Sequence, residues 1–253
     1  MPRLGFGVYQ NYATKDSVLL ALQAGYRHID TAQAYKNEAH VADAVRESGL
    51  PREEVFITTK IISKFHGYEK TVKAVDGSLE KMQLDYIDLF LIHNPHAGPA
   101  LRLETYRALL HYRTLGKIRS VGVSNYGVHH LEEIREAGLE KPSVNQIELH
   151  PYCQQREIVE YCREKGMVVQ AYCPVLRGQM EHPVFEELAS KYGKDKAQIL
   201  LRWSLQKGYV PLPKSATPSR IHSNANLYDF ELTAEDIAEL DALDEGWNPV
   251  GAA

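Results

Sequence analysis

The strongest constraint on the fold is an alternation, along almost the whole chain, of short apolar segments with amphipathic helical segments. Strand-like segments lie at 26–29, 55–59, 87–92, 120–123, 144–148, 168–171 and 209–212, with a weaker eighth at 227–230. Helical periodicity occupies 38–48, 68–82, 102–115, 128–138, 154–165, 195–207 and 233–243. Apolar strands that are separated by helices indicate a parallel sheet that is buried on both faces. Eight units of roughly 30 residues favour an α/β fold of the closed (β/α)8, or TIM, barrel type.

The same elements could instead form an open, doubly wound sheet that binds a dinucleotide. That fold carries a Gly-x-Gly-x-x-Gly turn between its first strand and its first helix. Here Gly5 and Gly7 are followed by Val8, Tyr9 and Gln10, and no helical pattern begins there. No low-complexity linker divides the chain, so a single domain over residues 1–253 is predicted.

Composition and charge exclude several classes of partner. The formal net charge is −4, which provides no positive surface for nucleic acid or for an anionic membrane. No run of 18 apolar residues is present, so a membrane-spanning helix is excluded. The three cysteines lack Cys-x-x-Cys spacing and suit a reducing compartment. Since the first residues carry no signal-peptide pattern, a cytoplasmic protein is predicted, with a small-molecule substrate and a monomer as the default state.

Polar side chains follow the strand candidates at their C-terminal ends, where (β/α)8 enzymes carry their active sites. Asp30 and Lys60 end neighbouring strands, so their opposite charges are expected to meet at the barrel mouth. Tyr35 follows closely enough after Asp30 to fold back over this rim, and His93 ends the next strand. The sequence therefore predicts a cluster of a carboxylate, an ammonium, a phenol and an imidazole.

These four groups are suited to proton delivery. A free tyrosine has a pKa of about 10, which is too high for efficient proton exchange at neutral pH. A buried Lys60 ammonium is expected to lower the pKa of Tyr35, while Asp30 holds that ammonium in place. A neutral His93 would orient a carbonyl oxygen by hydrogen bonding. The cluster thus matches the protonation of an alkoxide as hydride reaches the carbonyl carbon.

A second polar group lies after the seventh strand candidate, where barrels commonly bind phosphate. Thr217 followed by Pro218 is typical of a helix start, and a helix N-terminus favours anions. Lys214 and Arg220 would flank a phosphate there. Tyr172, which follows the sixth strand candidate, is suited to stacking on a planar ring.

Simpler interpretations stay open at this point. Asp30 and Lys60 alone fit an ordinary ion pair, His93 fits a histidine that closes a strand, and the late basic residues fit a solvated turn. A metal-dependent hydrolase would draw its ligands from histidines at strand ends, but Lys60 beside them would repel the metal, so no metal is predicted. A redox-sensing protein that binds a cofactor without turnover would keep the same residues.

Several longer motifs occur in a fixed order. They are Gly-Tyr-Arg-His-Ile-Asp-Thr-Ala-Gln-Ala-Tyr-Lys-Asn-Glu at 25–38, Thr-Lys at 59–60, Asp-Leu-Phe-Leu-Ile-His at 88–93, Gly-Val-Ser-Asn at 122–125, Asn-Gln-Ile-Glu-Leu-His-Pro at 145–151 and Leu-Pro-Lys-Ser at 212–215. In these motifs the chain resembles the aldo-keto reductases from Arg3 to about Asp244. The resemblance implies a (β/α)8 barrel that reduces aldehydes and ketones reversibly with NADP(H), bound without a Rossmann domain.

The resemblance also implies roles for individual residues. Tyr35 would be the general acid, Lys60 and Asp30 its tuning pair, and His93 the carbonyl-orienting residue. Cofactor contacts would come from Gly7, Val8, Asp30, Ser124, Asn125, Gln146, Tyr172, Pro174, Val175, Leu176, Lys214, Ser215, Thr217, Arg220, Ser223 and Asn224. The nicotinamide carboxamide would be held by Ser124, Asn125 and Gln146, with Tyr172 stacked on the ring. The 2′-phosphate would be held by Lys214, Ser215 and Arg220, which favours NADPH over NADH, with Asn224 near the adenine.

The chain departs from the family pattern in three ways. Family members usually begin with a β-hairpin that closes the barrel bottom, and this chain starts after that segment, so the plug is predicted to be lacking. The substrate pocket, expected from Tyr9, Ile62, His93 and Asn94, is more polar than usual because Asn94 replaces a common tryptophan. Residues 247–253 leave little chain to cover the pocket, which suggests tolerance of varied aldehydes and keto esters.

Overall fold

A closed parallel barrel forms the centre of the molecule. The computed structural model describes residues 1–246. Within them lie β1 (Phe6–Gly7), β2 (His28–Asp30), β3 (Phe56–Ile61), β4 (Ile87–Ile92), β5 (Ile118–Ser124), β6 (Val144–Glu148), β7 (Val168–Tyr172) and β8 (Val210–Pro211), which pair in parallel in chain order. The backbone N–H groups of Gly5 and Gly7 donate to the carbonyls of Pro211 and Pro213 at 3.0 and 2.9 Å. These bonds join the first strand to the last, and the predicted (β/α)8 class is confirmed.

Helices surround the barrel on the outside. They are α1 (Thr14–Gln23), α2 (Glu38–Glu47), α3 (Tyr68–Met82), α4 (Pro99–Thr114), α5 (Val128–Glu136), α6 (Arg156–Glu164), α7 (Pro183–Tyr192), α8 (Lys196–Gln206), α9 (Pro218–Ser223) and α10 (Ala234–Asp241). α1 and α7 have no counterpart among the predicted segments, and of α9 only the start after Thr217 was predicted. None of the helices in residues 1–246 is both long and apolar enough to cross a membrane.

The alternation of side chains along each strand separates the apolar core from the functional groups. Ile29 of β2 packs in the large core between strands and helices, whereas its neighbours His28 and Asp30 are buried without joining that core. A second, small apolar cluster of Leu89, Leu91 and Val144 fills part of the barrel interior. Asp30 and Lys60, which the sequence singled out, are thus held on the inner face of the barrel, with the apolar core behind them.

The eighth strand was predicted in the wrong place. Residues 227–230 form no strand; Leu227 is buried as a core side chain, while Tyr228 is 66% exposed. The missing strand is β1, which is only two residues long and is flanked by glycine. A Cβ on Gly5 would lie 2.7 Å from Nδ1 of His28. Glycine is therefore required there by close packing, although in a sequence it is typical of a turn.

Four predictions extend past what the fold tests. The single domain over 1–253 and the short tail at 247–253 reach beyond the described residues. The cytoplasmic location and the monomeric state stay predictions as well.

Candidate active site

Lys60, at the C-terminal end of β3, is the centre of the buried polar cluster. Its ammonium donates to Oδ1 of Asp30 at 2.5 Å, to the backbone carbonyl of Thr31 at 2.9 Å and to the phenol oxygen of Tyr35 at 3.4 Å. All three hydrogens of the ammonium are therefore used, and the side chain is 0% exposed. The predicted meeting of Asp30 and Lys60 is confirmed, and Tyr35 does fold back over this rim.

The loop that carries Tyr35 is held by Asn37. Tyr35 ends a short 3-10 turn that starts at Gln33. The amide of Asn37 donates to the carbonyl of Val8 at 3.0 Å and accepts from the hydroxyl of Thr31 at 2.6 Å. Asn37 thereby ties the loop to the segment after β1 and to the end of β2. This fixes the position of the phenol relative to Lys60.

The pKa of Tyr35 is shifted in the opposite direction to the prediction. Burial of the phenol, followed by the nearby carboxylate of Asp30, raises its pKa well above 10. Burial also lowers the pKa of Lys60, although Asp30 opposes that shift. The expectation that the ammonium would lower the pKa of Tyr35 is therefore wrong. The phenol of Tyr35 is therefore neutral at physiological pH, and its hydroxyl hydrogen is donated to no residue within 1–246.

His93 lies beside this phenol at the end of β4. Its ring centroid is 5.7 Å from that of Tyr35, and the two rings are nearly perpendicular. Burial, followed by the charge of Lys60, lowers the pKa of His93 to about 3. The imidazole is therefore neutral at physiological pH and can donate one hydrogen bond to an oxygen atom. Tyr9 also packs against Tyr35, with ring centroids 4.9 Å apart.

A second row of polar groups follows β5, β6 and β7. The hydroxyl of Tyr172 donates to Oδ1 of Asn125 at 2.9 Å, and Nδ2 of Asn125 donates to the carbonyl of His93 at 3.0 Å. Ser124 donates to the backbone carbonyl of Gln146 at 2.8 Å. Nε2 of Gln146 donates to Oδ2 of Asp30 at 2.8 Å, which connects this row to Lys60. Tyr35, Lys60, Asp30 and Gln146 together form what we term the catalytic network, after the role that the sequence analysis predicts for Tyr35, Lys60 and Asp30.

Asn94, which the sequence analysis places in the substrate pocket, follows His93 and is hydrogen-bonded to the loop after β3 and to the segment after β4. Oδ1 of Asn94 accepts from the hydroxyl of Ser63 at 2.5 Å and from the backbone N–H of His96 at 3.3 Å. The backbone donor fixes which end of the amide faces the loop, so Nδ2 faces away from it. Nδ2 donates to no residue in the described part of the chain, and Asn94 is half-buried. Ile62, which precedes Ser63, is half-buried too.

The late basic residues are arranged differently. Lys214 and Arg220, which we term the basic corner, are exposed, and in residues 1–246 neither forms an ion pair or a side-chain hydrogen bond. Ser215 and Asn224 beside them are buried. Thr217 does precede α9, as predicted, but the N–H of Thr217 is capped by the hydroxyl of Ser215 at 3.0 Å. Ser223 is half-buried at the end of α9.

The turn after β7 is strained. Cys173, Leu176 and Arg177 have positive φ angles of 51°, 54° and 54°, which costs energy in non-glycine residues. Nε of Arg177 lies 3.3 Å from the sulfur of Cys173 and Nη2 lies 3.6 Å from the carboxylate of Glu148. The turn includes the predicted cofactor contacts at 174–176, of which Pro174 and Leu176 are buried and Val175 is half-buried. Gly7, at the end of β1, and Val8, which follows it, are buried as well.

Two residues of this site were missed by the sequence reasoning. Asn37 belongs to the motif at 25–38, but its contact with Val8 could not be read from spacing. Gln170 is a single amide in an apolar strand, two positions before Tyr172 and therefore on the same face of β7. That parity was the available signal. No group of three or more His, Cys, Asp or Glu side chains among residues 1–246 is placed to hold a metal ion.

Comparison with known proteins agrees with this geometry. A sequence model of the aldo/keto reductase family matches residues 5–245. The chain is 46% identical over 250 residues to the glyoxal reductase of Bacillus subtilis (strain 168), covering 97% of this chain and 90% of that protein. It is 43% identical over 252 residues to the 9,11-endoperoxide prostaglandin H2 reductase of Trypanosoma cruzi (strain CL Brener), covering 97% and 88%.

The fold is equally close to solved structures. The crystal structure of an aldo-keto reductase of Bombyx mori in complex with NADP matches with a TM-score of 0.91 and 35% identity, covering 98% of this chain and 90% of that chain. A deep-sea metagenome aldo-keto reductase matches with a TM-score of 0.94 and 39% identity, covering 98% and 92%. The chain therefore belongs to the aldo/keto reductase family of oxidoreductases, which act on carbonyl groups.

Proposed function

We propose that this protein is an NADPH-dependent reductase of aldehydes and ketones, in which Tyr35 donates the proton. One observation carries the proposal. The phenol of Tyr35 accepts a hydrogen bond from the fully buried Lys60 ammonium at 3.4 Å, while its own hydrogen is donated to no residue within 1–246. A neutral phenol that is held by a cation and is free to donate suits an acceptor on which negative charge develops.

The residues present fit a phosphorylated dinucleotide. Both cations of the basic corner lack a partner in the described part of the protein, which is the state expected of groups that bind a phosphate by charge and by a two-pronged guanidinium contact. The buried hydroxyl of Ser215 and the buried amide of Asn224 lie next to them in the chain. We assign the 2′-phosphate to Lys214, Ser215 and Arg220, with Thr217, Ser223 and Asn224 along the adenosine end.

The nicotinamide end would lie over the second row of polar groups. Both hydrogens on Nε2 of Gln146 are used within the protein, whereas Oε1 accepts from no residue in the described chain. That oxygen is suited to accept from the carboxamide NH2, together with Ser124 and Asn125. Tyr172 would cover the ring, and the segments Gly7, Val8 and 174–176 would line the groove. When bound, NADPH supplies the hydride for the carbonyl carbon and becomes NADP+.

The proton step follows from the charges in the catalytic network. As the carbonyl oxygen gains negative charge it becomes a much stronger base than a phenolate, because an alcohol is a far weaker acid than a phenol. Tyr35 then gives up its proton even though burial raises its pKa. The phenolate that remains is stabilised by the Lys60 ammonium at 3.4 Å, and Asp30 keeps that ammonium charged.

His93 is proposed to hold the carbonyl oxygen in place. Because the pKa of His93 is lowered to about 3, the imidazole donates one neutral hydrogen bond and does not compete with Tyr35 as an acid. The substrate would enter between Tyr9, Ile62 and Asn94. The free Nδ2 hydrogens of Asn94 favour carbonyl compounds that carry a second oxygen, such as dicarbonyls and keto esters.

The direct test of this proposal is NADPH oxidation, followed by absorbance, with nitrobenzaldehyde and with glyoxal as substrates and NADH in parallel. Turnover with a lower KM for NADPH than for NADH supports both the reductase assignment and the role of the basic corner. Binding of NADPH without turnover of any carbonyl compound would favour the alternative of a redox-sensing protein. Absence of NADPH binding, measured by quenching of tryptophan fluorescence, would contradict the proposal.

A further inference from the structure

Gln170 is a fully buried amide to which the proposed function assigns no role. It lies on β7, in register with Gln146 on the neighbouring strand β6, and its surface is 0% exposed. Alternate residues of a strand point to opposite faces, so Gln170 shares the inner face of β7 with Tyr172. A polar side chain in such a place is expected to be fully hydrogen-bonded.

Gln170 completes the hydrogen bonding of Gln146. Nε2 of Gln146 carries two hydrogens, which are donated to Oδ2 of Asp30 at 2.8 Å and to Oε1 of Gln170 at 2.7 Å. The other end of the Gln170 amide is held as well, because its Nε2 lies 3.2 Å from the sulfur of Met1. No other residue within 1–246 accepts a hydrogen from Nε2 of Gln146.

These bonds form a continuous row that reaches the phenol of Tyr35. Asp30 accepts from Gln146 at Oδ2 and from Lys60 at Oδ1, and Lys60 contacts Tyr35. Gln170, Gln146, Asp30 and Lys60 are 0%, 2%, 4% and 0% exposed. Water therefore has little access to this row and does not readily replace a partner that is removed. The loss of one hydrogen bond should then loosen the neighbouring side chain in the row.

We propose that Gln170 is a positioning residue for the reaction and acts through Gln146. By accepting the second hydrogen of Nε2, it holds the Gln146 carboxamide against Asp30 and leaves Oε1 of Gln146 oriented for the nicotinamide carboxamide. The last torsion of a glutamine side chain has a broad, shallow preference, so two fixed partners are needed to define it. The inference rests on the proposed function for its effect on catalysis.

Two variants of Gln170 distinguish the loss of its hydrogen-bond acceptor from a change in side-chain size. Gln170→Met keeps the length of the side chain and removes the acceptor. Gln170→Glu keeps an oxygen that accepts from Gln146. The matched control is Gln154→Met, because Gln154 is also a buried amide, 2% exposed, whose Nε2 donates to the carbonyls of Pro151 and Asp241.

Two readouts are needed. The first is kcat with saturating NADPH, together with the thermal midpoint of unfolding. Gln170→Met should lower kcat about fivefold to twentyfold, Gln170→Glu should recover it to within about threefold of wild type, and Gln154→Met should lower the thermal midpoint without changing kcat. The second is the side-chain NH2 signal of Gln146 in a nitrogen–proton correlation spectrum of the cofactor-free protein, identified by its loss in Gln146→Met.

The NH2 signal decides the structural part of the inference independently of turnover. Its exchange with solvent should be slow in wild type and in Gln170→Glu, and at least about tenfold faster in Gln170→Met. A kcat of Gln170→Met within twofold of wild type, or an unchanged NH2 signal, would overturn the proposal. If wild type itself reduces no carbonyl compound, the proposed function fails, while the NH2 signal still tests whether Gln170 holds Gln146.

Discussion

The catalytic network and the basic corner differ in how many of their polar groups have a hydrogen-bond or ion-pair partner within the protein. In the catalytic network each donor already has an internal partner, apart from the Tyr35 hydroxyl, and Lys60 has no exposed surface. In the basic corner, Lys214 and Arg220 are exposed and have no partner within residues 1–246. The first region is arranged before any ligand arrives, whereas the second keeps its charges available for a ligand.

This difference predicts that the two regions contribute to different kinetic constants. Groups that are fixed in advance stabilise a transition state without reorganisation, so their loss should lower kcat. Groups that are exposed and unpaired contribute binding energy, so their loss should raise the KM of the cofactor and leave kcat unchanged. Substitutions in the two regions should therefore change different kinetic constants.

The largest effect is expected from Lys60→Met. Without the ammonium, the Tyr35 phenolate has no cation beside it, and kcat should fall about a thousandfold. The buried carboxylate of Asp30 also loses its partner, so the free energy of unfolding should fall by about 3–5 kcal/mol. Steady-state kinetics and urea unfolding measure the two effects.

The double variant Asp30→Asn with Lys60→Met separates the effect on kcat from the effect on the free energy of unfolding. It removes both charges, so stability should largely return while kcat stays low. Recovery of kcat to within tenfold of wild type would contradict a catalytic role for Lys60.

The next effect concerns the basic corner. The double variant Lys214→Ala with Arg220→Ala should raise the KM for NADPH about 10-fold to 100-fold, since each charge-assisted hydrogen bond contributes about 1.5–3 kcal/mol before solvent screening. The KM for NADH and both kcat values should change less than twofold. Lys73→Ala, which removes an exposed lysine on α3, is the control. An equal loss of affinity for NADH would refute the phosphate assignment.

The pH dependence should also differ between the two directions of the reaction. Tyr35 has a pKa well above 10 and His93 a pKa of about 3, so both are neutral between pH 6 and 9. With saturating NADPH, kcat for reduction should be flat over this range. Alcohol oxidation needs the Tyr35 phenolate, so its rate should rise about tenfold per pH unit. A reduction rate that falls with a midpoint near pH 7 would contradict the neutral states of Tyr35 and His93.

A smaller effect is expected at the polar rim. Asn94→Trp removes the free amide hydrogens and adds apolar surface, so the KM for nitrobenzaldehyde should fall and the KM for glyoxal should rise, each by a fewfold. The KM for NADPH should not change. Ser63→Ala, which removes only one partner of the Asn94 oxygen, serves as the matched variant and should shift this preference less. An unchanged ratio of the KM values for nitrobenzaldehyde and glyoxal would contradict a contact between Asn94 and the substrate.

The sequence predicts best those features that depend on strand ends. Asp30 and Lys60 meet because parallel strands in one barrel end on the same side, and this follows from the pattern alone. The start of α9 after Thr217 and the end of α4 before Gly116 follow from local backbone preferences.

The features that the sequence does not predict depend on distant packing. β1 is recognised only through its pairing with β2 and its bonds to Pro211 and Pro213 far along the chain. The pKa of Tyr35 rises because packed loops bury the phenol, and the depth of burial cannot be read from spacing. A role for Gln170 can be inferred only when the fold has placed it beside Gln146, which in turn contacts Asp30.

Tyr35→Phe tests proton donation by Tyr35 most directly, because it removes one hydroxyl and keeps the ring that packs against Tyr9 and His93. Single-turnover reduction of glyoxal or nitrobenzaldehyde by NADPH should be followed by stopped flow, with NADPH affinity measured by fluorescence and with Tyr12→Phe, at an exposed position, as the control. We expect an unchanged affinity for NADPH and a hydride-transfer rate that falls about a thousandfold. Hydride transfer within tenfold of wild type would contradict the assignment of Tyr35 as the proton donor.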